Sequence, residues 1–520
     1  MAGASSSDIH LRQAHTFLEI LRRIEGLAKG RGDHMLTALG QLDKDWLQIR
    51  KAQHWIEDNA LLSAEAGKLC IAFAATAPDL LVFRQQPSDR IAWLEAGLAA
   101  ARQLGASRAE RSILESLGHT YEANGQPAVA RNRFEICLNL ARGAGDQESV
   151  ARLLCGLAGL HSALGSSTRA EELLSEALAT AEKLQDRQVQ EDVFGTAGSV
   201  YDELGRVDEA FSAYTQALEL ARALGDTAGE ARHLGNLGIL HKNAGRLDEA
   251  IELYRGMLKL ARQLGDRRSV GIALNNLGLA YAEQGNHEEA VESYEESLKI
   301  RRSRGDRYGE SRALGSLGIA YKNLGDLDKS AETHRQWLEL CRELGDQLGE
   351  SQALTNLGIT YLELGQPDRA AECLEQSLTL SRQARHPRNE GLALSNLAGA
   401  YFDLQDFARA RELYEQSLSL FRKSGFHLGE PTILINLGNT AIKLDNLVGA
   451  LVHYHEALST SLHRQDRNGV HKAIHRIADW MERFASPERA DEFGQEALKI
   501  LDEIGDPAAD KIRALHQGGT

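Results

Sequence analysis

Residues 231–266 read ARHLGNLGILHKNAGRLDEAIELYRGMLKLARQLGD, and residues 271–306 read GIALNNLGLAYAEQGNHEEAVESYEESLKIRRSRGD. Laid one above the other, forty positions apart, they share Leu237-Gly238 with Leu277-Gly278, Gly245 with Gly285, Ala250 with Ala290, Tyr254 with Tyr294, and Gly265-Asp266 with Gly305-Asp306. Working outward, the Leu-Gly glycine column continues at Gly118, Gly198, Gly318, Gly358 and Gly438, with Ala158 and Ala398 in two blocks. Three residues later stand Tyr121, Tyr201, Tyr281, Tyr321, Tyr361 and Tyr401. Twelve after the glycine come Ala130, Ala170, Ala210, Ala370, Ala410, Ala450 and Ala490, and a further column holds Phe134, Tyr214, Tyr414 and Tyr454. No insertion breaks this register from about residue 91 to 506. A fixed period of this length marks a stacked repeat architecture.

Each block reads as two helices. Leu314, Leu317, Gly318, Tyr321 and Leu324 fall on one face of the first, and Ala290, Val291, Tyr294, Ser297 and Leu298 on one face of the second. Gly125, Gly165, Gly205, Gly245, Gly285, Gly325 and Gly365 are placed to end the first helix in a left-handed cap. Gly145, Gly225, Gly265, Gly305, Gly345 and Gly505 are placed to end the second. The Asp after each of these six, Asp146, Asp226, Asp266, Asp306, Asp346 and Asp506, is placed to cap the next helix. The Leu-Gly glycine is expected to let the partner helix approach, with the small Ala of that helix facing it. The two helices are expected to be roughly 20 and 25 Å long, the second the longer. One such hairpin cannot bury both its faces, so about ten stack into a continuous core. The expected class is all-α: an α-solenoid over residues 91–506, a helical N-terminal region over 1–90 and a tail over 507–520.

Bulk properties narrow the functional classes. The 520 residues carry a net charge of −15, which weighs against a general nucleic-acid binder and against docking on anionic lipid. Five cysteines, Cys70, Cys137, Cys155, Cys341 and Cys373, form no CxxC pair and argue for a reducing cytoplasm. The N-terminal MAGASSSDIH lacks the features of a signal peptide, and the most apolar stretch, Leu69 to Pro78, is too short to span a bilayer.

The Leu-Gly, Tyr, Gly, Ala, Tyr spacing resembles the tetratricopeptide repeat. The forty-residue form with its Leu-Gly-Asp linker is similar to the arrays of kinesin light chain, of the LGN/Pins adaptors and of bacterial regulators. The resemblance implies a right-handed superhelix whose concave groove takes peptides or a partner's helix. Residues 1–90 depart from the pattern and read as amphipathic helices, with Leu39, Leu42, Trp46, Ile49 and Ile56 on one stripe. The runs Asp45 to Arg50 and Arg90 to Ala96 are similar to the leading segment of repeat arrays in STAND-class signalling ATPases. That similarity implies a bacterial origin and a sensor arm. The P-loop those ATPases carry is missing: the chain's Gly67-Lys68 is followed by Leu69.

The resemblance puts the first helix of each hairpin on the groove. Just before the Leu stand Asn236, Asn276, Ser316, Asn356, Asn396 and Asn436. Asn is a mediocre helix former, and its amide offers two donors and an acceptor suited to an extended peptide backbone. The alternative reading is that these amides bond the neighbouring hairpin. Arg152, Arg232, Arg312 and Lys472 lie four residues before this column, and Lys242-Asn243 and Lys322-Asn323 begin six after it. Together they predict a cationic and amide surface for a partner's carboxylates. The Lys column then turns apolar at Leu362, Phe402 and Ile442, as an anchor pocket or as packing on the next hairpin. His453, His455, His463, His471 and His475 crowd the C-terminal end, but no acid lies between the last two as in HExxH, so no metal site is expected. Neither a catalytic grouping nor a cofactor motif is present. The sequence thus predicts a cytoplasmic adaptor that holds an acidic or amphipathic protein segment, free of enzymatic activity. A structural subunit that self-associates through its hairpin faces is the alternative.

Overall fold

The structure, a computed structural model, describes residues 6–28, 34–76, 81, 85, 87–427, 429–464 and 466–484. Every regular element among the described residues is a helix. The chain divides into two compact units, Met1–Asn286 and His287–Thr520.

In the first unit Ser6–Ala28, His34–Asn59, Ala64–Ala75 and Pro87–Gln103 lead into four hairpins. These pair Ser107–Ala123 with Pro127–Gly143, Gln147–Ala163 with Ser167–Leu184, Arg187–Glu203 with Val207–Leu224, and Thr227–Asn243 with Leu247–Leu264. Arg267–Gln284 follows. In the second unit His287–Ser303 precedes four more. They pair Arg307–Leu324 with Leu327–Leu344, Gln347–Glu363 with Pro367–Gln383, Pro387–Asp403 with Phe407–Ser424, and Glu430–Lys443 with Leu447–His463. Arg467–Phe484 is the last described helix. The rest of the expected final hairpin, including Ala490, Gly505 and Asp506, and the expected tail lie outside the described residues.

The caps follow the sequence. Gly245 and Gly265 have φ of 74° and 68°, and the other expected cap glycines among the described residues share the left-handed conformation. Asp146, Asp226, Asp266, Asp306 and Asp346 each accept a backbone N–H from the first turn of the next helix. First and second helices differ little in length, 17 residues in Thr227–Asn243 and 18 in Leu247–Leu264, a smaller difference than the roughly 20 and 25 Å expected.

The role of the Leu-Gly glycine needs a second correction. A Cβ at Gly238 would lie 2.5 Å from the Tyr254 ring, and one at Gly198 2.6 Å from Tyr214. Phe134 fills the same space over Gly118, and Tyr454 does so over Gly438. The glycine thus seats the aromatic ring of the second helix, and the Ala column is buried in the hairpin. Leu324 also departs from expectation. Leu314, Leu317 and Tyr321 are buried, but Leu324 is 41% exposed because it sits in the final turn beside Gly325.

In the N-terminal region Leu42, Ile49 and Ile56 are buried and Trp46 half-buried, while the side chain of Leu39 is outside the description. The helix Pro87–Gln103 runs across the boundary drawn at residue 90, and one apolar cluster extends from Ala14 to Ala213. Neighbouring hairpins are further joined by a repeated ion pair, from an Arg near the end of one helix to a Glu in the first turn of the next. Arg102–Glu110, Arg222–Glu230, Arg302–Glu310, Arg342–Glu350 and Arg382–Glu390 measure 2.8, 2.8, 2.8, 2.7 and 2.9 Å.

Candidate functional site

First helices of neighbouring hairpins touch. In the first unit Gln147–Ala163 lies against Arg187–Glu203, and Thr227–Asn243 against Arg267–Gln284. In the second, Gln347–Glu363 lies between Arg307–Leu324 and Pro387–Asp403. Second helices of neighbouring hairpins show no comparable approach among the described residues. A stack bends toward the side where its helices crowd, so the first helices line the inner wall of each unit.

Each first helix turns one uncovered stripe to that wall, at spacing i, i+4, i+7 and i+11. In Thr227–Asn243 the stripe is Arg232, Asn236, Ile239 and Asn243; in Arg267–Gln284 it is Ile272, Asn276, Leu279 and Glu283. In the second unit it is Arg312, Ser316, Ile319 and Asn323, then Gln352, Asn356, Ile359 and Glu363, then Leu392, Asn396, Gly399 and Asp403. All are exposed or half-buried. The expected Asn column and its Arg neighbours therefore do lie on one surface in each unit.

The charges are arranged differently from the sequence expectation. Arg152 pairs with Glu148 and, at 2.9 Å, with Asp192 of the next first helix. Lys242 reaches Glu283 at 3.1 Å, and Lys322 reaches Glu363 at 3.2 Å. Arg232 donates to Glu191 at 2.8 Å. These cations tie neighbouring first helices together and are not free to receive a partner. Arg312 is exposed and makes no ion pair among the described residues. The sequence showed the cation columns but not the carboxylates forty or forty-one residues away that pair with them.

Among the described residues Glu191 is the one fully buried carboxylate of the first unit. It accepts from Arg232, from the His233 Nε2–H at 2.5 Å and from Gln188 at 2.7 Å. Burial holds the His233 pKa below the ordinary imidazole value, against the pull of Glu191. His233 is therefore neutral and donates its single proton to the carboxylate.

The amides divide. Asn236, Asn276 and Asn356 side chains make no hydrogen bond to another described residue. Asn396 turns back on its own helix, donating to the Leu392 carbonyl at 2.9 Å, and Asn436 faces the Tyr414 hydroxyl. Asn243 and Asn323 are exposed. Phe402 is half-buried with its ring edge-on to Phe407 of the same hairpin, at 5.3 Å. Leu362 reaches toward Gly399 of the next first helix, and Ile442 packs on the neighbouring core.

The sequence reading missed Ile239, Leu279, Ile319 and Ile359. They form their own column three residues after the Asn, on the face opposite the core stripe, and Ile239 and Ile319 are about 40% exposed (38% and 41%). An apolar residue recurring on the polar side of an amphipathic helix was the available signal. His471 and His475 meet edge to face at 4.7 Å, and no group of three potential metal ligands occurs among the described residues. All five cysteines are free, four of them buried. No described helix is long and apolar enough to cross a membrane.

No curated protein matches the chain. Among solved structures it is similar to the apo form of RapI, at 16% identity and a TM-score of 0.45, covering 53% of this chain and 99% of that one. It is similar to aspartyl phosphate phosphatase F from Bacillus subtilis at 13% identity and a TM-score of 0.44, covering 81% and 96%. It is also similar to a Podosopora anserina putative kinesin light chain with nearly identical TPR-like repeats, at 23% identity and a TM-score of 0.34, covering 37% and 95%. The tetratricopeptide repeat profile matches residues 91–183, 191–263, 230–303, 309–383 and 390–462. With its hairpins, seated rings and left-handed caps already in place, the match over most of its length makes this chain a member of the tetratricopeptide repeat family.

Proposed function

We propose that this chain is a regulatory scaffold or adaptor that holds a segment of another polypeptide on the wall of its first helices and performs no chemistry itself. One observation carries the reading. Asn236 and Asn276 in one unit, and Asn356 in the other, present amides that make no hydrogen bond to another described residue, each beside an uncovered apolar residue. An amide can both donate to and accept from a peptide backbone, and an apolar neighbour adds a place for a side chain. Neighbouring first helices about 8–10 Å apart match roughly three residues of extended chain. The wall cations being mostly spent internally, the segment is held chiefly by amide contacts and apolar burial.

The test is selection from a random dodecapeptide library on the immobilised full chain, repeated with Asn356→Ala and Asn396→Ala together. Alanine is the better helix former, so the double variant should melt no lower than the parent. Its selected peptides should bind at least ten-fold more weakly. A lower melting temperature with unchanged binding would instead make the amides part of the stacking.

Self-association through the hairpin faces is the competing reading. Sedimentation equilibrium between 1 and 100 µM separates the two, the scaffold reading requiring one mass throughout.

A further inference from the structure

Within the second unit the wall is asymmetric. Arg312 is exposed at one corner and makes no ion pair among the described residues. Lys322 is neutralised by Glu363, and Asp403 stands exposed at the opposite corner. Arg301, whose guanidinium feels the charge of Arg312, is occupied by Asp306 at 3.0 Å. Along Arg307–Leu324, Arg312 lies about 6 Å to one side of Ser316, and Ile319 about 4.5 Å to the other, at 1.5 Å per residue. Ser316 and Asn356 form the polar row between them, and Ile359 repeats Ile319 on the next helix.

A polypeptide crossing the helices along that polar row has its side chains alternating to the two sides. One side meets Arg312, the other Ile319 and Ile359. We infer that the wall of the second unit selects an extended partner segment with a carboxylate on the edge facing Arg312 and apolar side chains on the edge facing Ile319 and Ile359. The wall of the first unit lacks this reading. Its corresponding positions are Arg232, which donates to buried Glu191, and Ile272, so this column holds no unpaired guanidinium there among the described residues. This inference rests on the scaffold reading above.

The same library selection tests it, with Arg312→Gln, Arg312→Glu and Ile319→Asn added to the Asn356→Ala, Asn396→Ala pair, each checked by thermal melting. The full chain should enrich peptides alternating acidic and apolar residues. Arg312→Gln should lose the acidic enrichment by about ten-fold and keep the apolar one. Arg312→Glu should invert the preference toward lysine and arginine, and Ile319→Asn should weaken every selected peptide. Enrichment of apolar peptides that depends on Asn356 and Asn396 but carries no acidic preference would overturn this inference and leave the scaffold reading standing. Absence of any enrichment sensitive to the Asn pair would overturn both.

Discussion

At the scale of single residues, a charge on the wall means different things in different places. Arg232 and Arg312 occupy the same column, yet Arg232 compensates a buried carboxylate and Arg312 compensates none among the described residues. Arg232→Glu should therefore cost about 2 kcal/mol of stability, less than a wholly buried pair because Arg232 itself is more than half exposed. Arg312→Glu should stay within about 0.5 kcal/mol. Urea unfolding of the two variants makes the comparison. His334 offers a second case. It stands in the aromatic column, over Gly318, fully buried with neither ring nitrogen bonded, and burial pushes its pKa down to about 4. The unfolded chain takes up this proton near pH 6.5, the folded chain only near 4. Stability is thus intact above pH 6.5 and falls as the pH is lowered toward 4, by on the order of 3 kcal/mol from this group. His334→Tyr, the residue of the preceding block at Tyr294, should remove that component from a series of urea midpoints at pH 4 to 7.

At the scale of the element, the hairpin is set by one ring and one turn. Gly238→Ala pushes a methyl into the Tyr254 ring and should cost about 1–3 kcal/mol. Among the described residues four turn positions carry side chains in the left-handed region: Gln185, Arg385, Gln405 and Asp445. Gln405, with φ of 63°, occupies a column where most blocks have glycine. Left-handed backbone costs a non-glycine residue about 1–2 kcal/mol, while glycine returns about 0.5–1 through the unfolded chain. Gln405→Gly should therefore raise the thermal midpoint modestly. The hairpin was the most legible level of the sequence, because Leu-Gly, the cap glycines and the capping Asp each act within a few residues of themselves. What stayed hidden was which side chain fills the space over the glycine, since that depends on how the second helix is rotated. The Glu191–His233 contact was equally hidden. Each partner occurs once in its column, forty-two residues apart, and no period announces the pair.

At the scale of the whole chain, repetition made the architecture readable and the guest-binding surface only partly so. The wall positions followed from the period, as Asn236, Asn276, Asn356 and Asn396 show. Their chemistry did not, because Lys242 and Lys322 look free until Glu283 and Glu363 are placed beside them. Acid and salt should therefore act on this molecule chiefly through its own ties. Raising the ionic strength should lower stability while weakening an apolar peptide little, and parallel melting and binding titrations in sodium chloride would show it.

The Arg-to-Glu tie between hairpins has one more consequence. In the second unit it recurs in identical register at Arg302–Glu310, Arg342–Glu350 and Arg382–Glu390. These three seams carry the same half-joints. A genetic exchange that drops or doubles one forty-codon stretch would bring a matching guanidinium and carboxylate back together. Gene length in such a lineage can drift by whole modules without inventing a new joint.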